Sequence, residues 1–312
     1  MQEKWENIAN IGIVFPKLFG NITTEEQFND CLMQILVDPF FTVVELSYIE
    51  NKEWLIKAAK WTQKAGVEVI FNGGEAFRKL LIDLSSLDQE TRKKSVEMSK
   101  MLVEQCYLLQ AKIFHIVTGK YTNSDERIEM LQAFTQSVKE ICEYAKEKST
   151  DYELMISLET GDRYYDRKYL LGPTNEAIMV LRNVREEYDN FGLLLDQSHF
   201  PVMKEDPYKA LWEGKEYLTH VHIGNSYVKD QSVSYFGDKH LPFGVKDSAV
   251  GTEELAKFLR TLDEIGFYQS PKATKKPTIS FEVGPMDEET PEFVLANIKR
   301  VFYEAWLKQN IN

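Results

Sequence analysis

Four stretches in the C-terminal half of the chain run into a side chain that can hold a metal ion: Glu159 in LMISLET, Asp196 in FGLLLDQSH, His222 in LTHVHIG and Glu282 in TISFEVG. Each stretch reads as a β-strand. The residue two positions earlier (Ser157, Leu194, His220, Ser280) shares its face, because side chains alternate along a pleated strand. If the four strands are neighbours in one closed parallel sheet, three carboxylates and an imidazole meet at a point. Like charges that close repel unless a divalent cation compensates them. The oxygen-rich donor set suits an octahedral Mn²⁺-like or Mg²⁺-like ion, with about two positions left for adjacent substrate oxygens. A hydroxy-ketone could chelate there. Such an ion would act as a Lewis acid on the carbonyl and stabilise the enediolate formed when the neighbouring C–H proton leaves. Glu159 and Glu282, arriving from strands five and eight, would flank that carbon and serve as base and acid. Taken singly, an acid ending a strand reads as a helix cap or ion-pair partner, and an inward histidine as a core residue. Four ligand types at one level of four successive strands do not read that way.

The elements that must position these residues follow from the alternation of Val- and Ile-rich runs with helix-period stretches, the pattern of βα units around a parallel sheet. Strands are expected at 10–16, 41–48, 67–72, 112–118, 154–159, 191–196, 218–223 and 278–283. Helices are expected at about 24–37, 52–65, 89–110, 124–148, 175–189, 206–213, 252–265 and 291–308. Thr23 or Thr24 with Glu26 suggests a capping box, Gly66 closes the second helix, and Pro291 suits a first helical turn. Eight such units predict an α/β fold, a (β/α)₈ barrel with an eight-stranded parallel sheet, better than a doubly wound sheet. The latter would want a glycine-rich phosphate turn after its first strand, and no G-x-G-x-x-G occurs there. No composition break marks a second domain, so 1–312 reads as one. The long loop after strand seven, residues 224–251, carries four aromatics and reads as an ordered flap over the barrel mouth.

Bulk composition narrows the function classes. With 43% hydrophobic and 28% charged residues the chain is of the globular kind. Its 37 basic and 49 acidic residues leave a formal charge of −12, and no basic run with interleaved aromatics could track a phosphate backbone, so nucleic acid is disfavoured as a partner. No apolar run is long enough to span a membrane, and the MQEKWENIAN start has no leader pattern; a cytoplasmic protein is expected. Cys31, Cys106 and Cys142 stand singly in helical segments and read as reduced, buried thiols.

The progression Glu159, Asp196-x-x-His199, His220-x-His222, Glu282 resembles the xylose isomerase-like TIM barrels, a family that includes ketose 3-epimerases, hydroxypyruvate isomerases, inosose dehydratases and endonucleases of the endonuclease IV type. The resemblance implies that Glu159, Asp196, His222 and Glu282 bind one divalent ion (manganese, cobalt, magnesium or zinc). It implies that His199 contacts substrate or a further metal. Asp238-Lys239-His240 in the flap matches the Asp-x-His that the endonuclease branch uses for an additional zinc, where xylose isomerases have Asp-x-Asp. His199, Asp238 and His240 thus form a second metal site or a substrate-binding loop pair. His115 on strand four falls where the endonuclease branch has a zinc ligand, but the matching position on strand three is Asn72, which weakens a three-zinc reading. His115 is then a pocket-lining or core residue, and His220 a group oriented beneath the metal.

After strand five, TGDRYYDRKYLLGPTNEA forms a rim loop with Asp162, Arg163, Arg167 and Lys168. Its charges are either solvated, or Arg163 or Lys168 binds a substrate carboxylate or phosphate, with Lys120 competing for that role. The function expected is a metal-dependent isomerase or epimerase of a small-molecule sugar or sugar phosphate, acting by proton transfer next to a carbonyl. An inosose-type dehydratase and an endonuclease IV-like phosphodiesterase are the alternatives. A homo-oligomer is compatible with this reading.

Overall fold

Eight apolar runs become strands that pair in chain order, each parallel to the next, until the last closes on the first. They are β1 (Asn10–Val14), β2 (Val43–Leu46), β3 (Glu68–Asn72), β4 (Ile113–Ile116), β5 (Met155–Glu159), β6 (Phe191–Asp196), β7 (Leu218–Ile223) and β8 (Thr278–Phe281). This is the expected (β/α)₈ barrel. The computed structural model describes residues 4–121, 124–270 and 272–309; the first three residues of the MQEKWENIAN segment lie outside them.

Among the described residues the helices are α1 (Trp5–Ile8), α2 (Phe15–Phe19), α3 (Glu25–Leu36), α4 (Lys52–Ala65), α5 (Gly73–Leu80), α6 (Gln89–Leu108), α7 (Arg127–Glu147), α8 (Thr174–Arg185), α9 (His199–Met203), α10 (Pro207–Gly214), α11 (Thr252–Glu264) and α12 (Pro291–Lys308). None is long and apolar enough to cross a membrane. The eight long-period helices lie where the pattern puts them. The shorter α1, α2, α5 and α9 do not show in it, because four to eight residues hold too few turns for a 3.6-residue period. Caps are local and legible: Asn51 accepts from the amides of Glu53 and Trp54, and Thr290 precedes Pro291 and accepts from Phe293 N. The capping box of α3 pairs Thr24 with Gln27, not Glu26, since the reciprocal partner must sit at the third helical residue. Gly66 does close α4, at φ 73°.

Two apolar regions result. The larger lies between the outer faces of the strands and the helices, and the smaller is a floor inside the barrel made of Val43, Ile70 and Ile113 with Met155 against them. Stepping two residues along each of these strands changes the interior from apolar to polar, giving Glu45, Asn72, His115 and Ser157. The barrel therefore has a dry base and a charged mouth. Strand eight stops at Phe281, so Glu282 is the first residue past the sheet, its amide still bonded to Ile223 O at 2.9 Å. Of the thiols, Cys106 and Cys142 are buried and Cys31 is half-buried, all free.

Strand β3 turns straight into α5 at Gly73, and the turn presses on β4. A Cβ on Gly73 would lie 2.1 Å from the His115 carbonyl oxygen and 2.9 Å from the Phe114 ring. Neither backbone nor buried ring can yield, so Gly73→Ala should cost about 1–3 kcal/mol by overpacking. Urea unfolding checks this: the midpoint should drop with an unchanged slope.

Candidate metal centre and active site

Glu159 closes β5, Asp196 closes β6, His222 is the penultimate residue of β7 and Glu282 follows β8. The barrel register sets Asp196 beside His222 and His222 beside Ser280, so the four side chains rise at nearly one level. His222 Nδ1 lies 2.8 Å from Glu282 Oε2, 3.6 Å from Asp196 Oδ2 and 3.7 Å from Glu159 Oε1. One ligand atom from each of the four falls within 4.8 Å of the others. These four atoms (Glu159 Oε1, Asp196 Oδ2, His222 Nδ1 and Glu282 Oε2) are buried and make no hydrogen bond of acceptable geometry. Buried polar atoms left so are costly, and three carboxylate oxygens with one imidazole nitrogen turned to a common point fit a divalent cation.

What aims the imidazole is a residue that sequence reasoning missed. Glu45, fully buried on β2, takes His222 Nε2 between its two oxygens at 3.0 and 3.1 Å, which leaves Nδ1 for the ring. Burial alone would raise the Glu45 carboxyl; the imidazole charge and hydrogen bond of His222, with His220 behind, outweigh it and hold it at about 2. His222 is raised well above its ordinary value despite burial, chiefly by Glu45 and then by the ring carboxylates. His220 sits beneath, its Nδ1 3.0 Å from Thr219 Oγ1, and burial lowers it to about 3. The available signal for Glu45 was a lone acid inside the apolar run FTVVELSY, two residues beyond the floor residue Val43.

The second cluster lies against the first. His199 opens α9, with Nδ1 2.7 Å from Thr160 O and Nε2 3.3 Å from Asp238 Oδ2. His240 Nδ1 is 3.2 Å from Asp238 Oδ1, while its Nε2 is 3.4 Å from Asp196 Oδ2 and 3.6 Å from Glu282 Oε1. One ligand atom each from Asp196, His199 and His240 falls within 4.8 Å of the others, whereas Asp238 bridges the two imidazoles from the flap side with a separate oxygen to each. Against burial, Asp238 raises both His199 and His240, and the two imidazoles hold Asp238 low. His240 has φ 55°, a left-handed conformation that an ordinary residue keeps only when its surroundings over-determine it. They do. Asp166 accepts from Asp238 N at 3.1 Å, Lys17 Nζ donates to Lys239 O at 2.7 Å, and Gly284 N donates to His240 O at 3.1 Å. The 224–251 loop is the ordered flap expected, stapled by buried Asn225 to Pro242 O, Ser248 Oγ and Val250 N.

A cavity of about 230 Å³ opens above both clusters, lined by Glu159, Glu282, His115, His199, Asp238 and His240 among others. His115 Nε2 lies 2.8 Å from Glu159 Oε2, and Asn72 beside it on β3 turns to Glu45 at 3.5 Å. Two expected residues are elsewhere. Arg163 faces away from the cavity, held by Glu176 and by Leu170 O at 2.6 Å, and Lys168 is exposed on the outer turn of the rim loop. The cause is Asp162, whose buried carboxylate accepts the amides of Tyr164, Tyr165, Asp166 and Arg167 and so sets which side chain of the loop points inward. That side chain is Arg167, joined on the cavity wall by Lys17, Arg78 and Tyr169; Lys120 is exposed and outside it.

A family model described as xylose isomerase-like TIM barrel matches residues 41–292. No curated protein matches the chain by sequence. Among solved structures, an L-ribulose 3-epimerase is similar with a TM-score of 0.71 at 17% identity, 96% of each chain being covered. The IOLI protein with a bound zinc atom gives 0.70 at 17% identity over 96% of this chain and 99% of its own. An AP endonuclease, family 2, from Brucella melitensis gives 0.66 at 14% over 94% and 98%. At these identities the likeness is one of fold.

Two outcomes follow from the site's electrostatics. Glu45→Gln should weaken Mn²⁺ binding about 10–100-fold, because the imidazole loses the carboxylate that orients it and raises its basicity; titration calorimetry at fixed pH checks it. In chelator-stripped protein, His222, His199 and His240 have folded-state values above the ordinary 6.5. Their stabilising contribution is complete below that value and is lost as the pH rises through the raised one. The melting temperature of stripped protein should therefore fall as pH climbs above about 6.5, whereas Mn²⁺-loaded protein holds steady because the ion replaces the protons. Paired melting profiles decide it; a stripped protein that melts later across this window goes against the reading.

Proposed function

The chain belongs to the xylose isomerase-like TIM barrel family, and from that premise we propose that it is a divalent-metal-dependent isomerase or epimerase of a sugar or sugar phosphate. One observation carries this reading. The four orphaned ligand atoms converge on one point, and two of their owners, Glu159 and Glu282, also line the cavity where a substrate would lie. A divalent ion held by Glu159, Asp196, His222 and Glu282 would polarise a carbonyl oxygen and stabilise negative charge developing on it.

The chain's own residues supply the rest. The carboxyl of Glu159 stays well below its ordinary value despite burial, through His115 and then His222, so it faces the cavity ionised and can accept a proton from carbon. Glu282, half-buried and less enclosed, stands on the other acidic arm of the ring and returns a proton. His115, 2.8 Å from Glu159 Oε2, holds that carboxylate in place during the transfer. The buried walls and the flap limit bulk water at the reacting carbon during the transfer, while the two carboxyl groups exchange their protons with solvent between turnovers. The folds of an L-ribulose 3-epimerase and a D-tagatose 3-epimerase-like protein support this class of chemistry, and the zinc in the IOLI protein supports a metal.

The grouping of Asp196, His199 and His240, with Asp238 bridging the two imidazoles, supports a second ion, and it is the one observation that favours metal-dependent phosphodiester hydrolysis. Asn72 beside His115 and the net charge of −12 weigh against that alternative. Metal counting by plasma emission spectrometry gives the number.

The test is a panel of ketoses, aldoses and their phosphates in D₂O with Mn²⁺, Co²⁺ or Mg²⁺. Deuterium should enter a carbon-bound position of one sugar; loss of water from the product would mark a dehydratase instead, and no incorporation anywhere would overturn proton-transfer chemistry. Glu159→Gln and Glu282→Gln should each slow exchange about 10²–10⁴-fold. Measured metal content separates loss of the acid–base group from loss of the ion. An active double variant would sink the assignment.

A further inference from the structure

The cavity wall carries both signs of charge: beside the carboxylates and histidines stand Lys17, Arg78 and Arg167, Lys17 and Arg167 half-buried and Arg78 exposed. These cations come from three separate βα segments: α2 after β1, α5 after β3, and the rim loop after β5. A chain with a net charge of −12 thus gathers three positive groups on the wall of one 230 Å³ space. They repel one another, and an anion placed between them would relieve that repulsion.

The protein's own anions do not fill that role. Among the described residues, no carboxylate lies within 4.0 Å of the Lys17 ammonium or the Arg167 guanidinium. Arg78 pairs with Glu75 one turn earlier on its own helix, an exposed contact that holds it weakly. The ring carboxylates face imidazoles or, when loaded, would face a divalent ion, and none of them pairs directly with Lys17 or Arg167. Two of the three are also held ready. Lys17 Nζ is fixed by its bond to Lys239 O, with two ammonium protons left, and the Arg167 backbone is fixed by the buried carboxylate of Asp162. Preorganisation of that kind lowers the entropy lost on binding.

Resting on the isomerase or epimerase reading above, we propose that the substrate is anionic: a small polyhydroxy carbonyl compound whose phosphate or carboxylate group is bound by Lys17, Arg78 and Arg167. The space is smaller than the roughly 300–1,000 Å³ of pockets for drug-sized ligands, so ring and cations are spanned by one small molecule. Arginine suits the role because its planar fork matches both kinds of anion.

Titration calorimetry on Mn²⁺-loaded protein at low salt tests this with a neutral ketohexose, the same ketohexose 6-phosphate, and a hexuronate. At least one anionic probe should bind ten times more tightly than the neutral sugar or better, and a phosphate-over-carboxylate order would identify the group. Arg78→Gln and Arg167→Gln should each cut that preference about tenfold, whereas the Lys replacements, which keep the charge and lose the fork, should cut it less. Arg78 is exposed, so its single variant is decisive even where the double variant fails to fold; metal content and melting temperature are read alongside. Equal affinity for charged and neutral probes, no binding of either anion, or a preference unchanged in Arg78→Gln would overturn the proposal. Deuterium exchange in the same samples separates the two ideas. Exchange with a neutral sugar bound as well as its phosphate would keep the isomerase and remove the anion site. Cation-dependent binding with no exchange in any sugar would keep the anion site and remove the isomerase.

Discussion

The mouth of this barrel is organised by the cost of burying like charges together. Glu45, Glu159, Asp196 and Asp238 are each less than a tenth exposed, and a closed sheet does not let the strands that carry the first three move apart. Two unit charges about 4 Å apart interact by about 4 kcal/mol at the effective dielectric of such a site, a large fraction of a folded domain's margin of stability. Compensation is therefore a condition of folding and not a refinement. The chain meets it with imidazoles: His222 between Glu45 and the ring, His199 and His240 around Asp238, His115 against Glu159. Each imidazole that spans two acids also fixes the direction in which the remaining acid points.

That requirement explains what could be read from the residues and what could not. The barrel and the four ring positions were legible because period 2 and the strand ends decide both, and the register only had to bring adjacent strands level. Glu45 carried the same signal on β2 and escaped because its strand is four residues long and its two neighbours toward the floor are valines. Helix α5 escaped for another reason. Gly73 and Gly74 look like a turn, and only the 2.1 Å approach to the His115 carbonyl shows that the first must be glycine for a helix to begin there.

The rim loop shows where sequence pattern stops being informative. Arg163, Arg167 and Lys168 are chemically alike and close together, and no periodicity relates them, since the segment is neither strand nor helix. Their directions are set by one buried group, Asp162, gathering four successive amides. Arg163 then falls beside Glu176 and Arg167 beside the cavity. A side chain that organises backbone cannot be told from a solvated one by type alone.

The two clusters share Asp196, which reaches His222 with the same oxygen that reaches His240. Whatever occupies one cluster changes the charge that the other sees. The flap enters the site through His240, and three contacts from α2, from the rim loop and from the residues after β8 hold its Asp238-Lys239-His240 corner. Lys17 belongs to that tether and to the cavity wall alike. An anion drawing on Lys17 would therefore act on the backbone that aims His240, and through Asp196 on the ring. On the proposed reading the strands hold the ring and the loops hold the cations, and Lys17 joins the two through Lys239, the residue before His240.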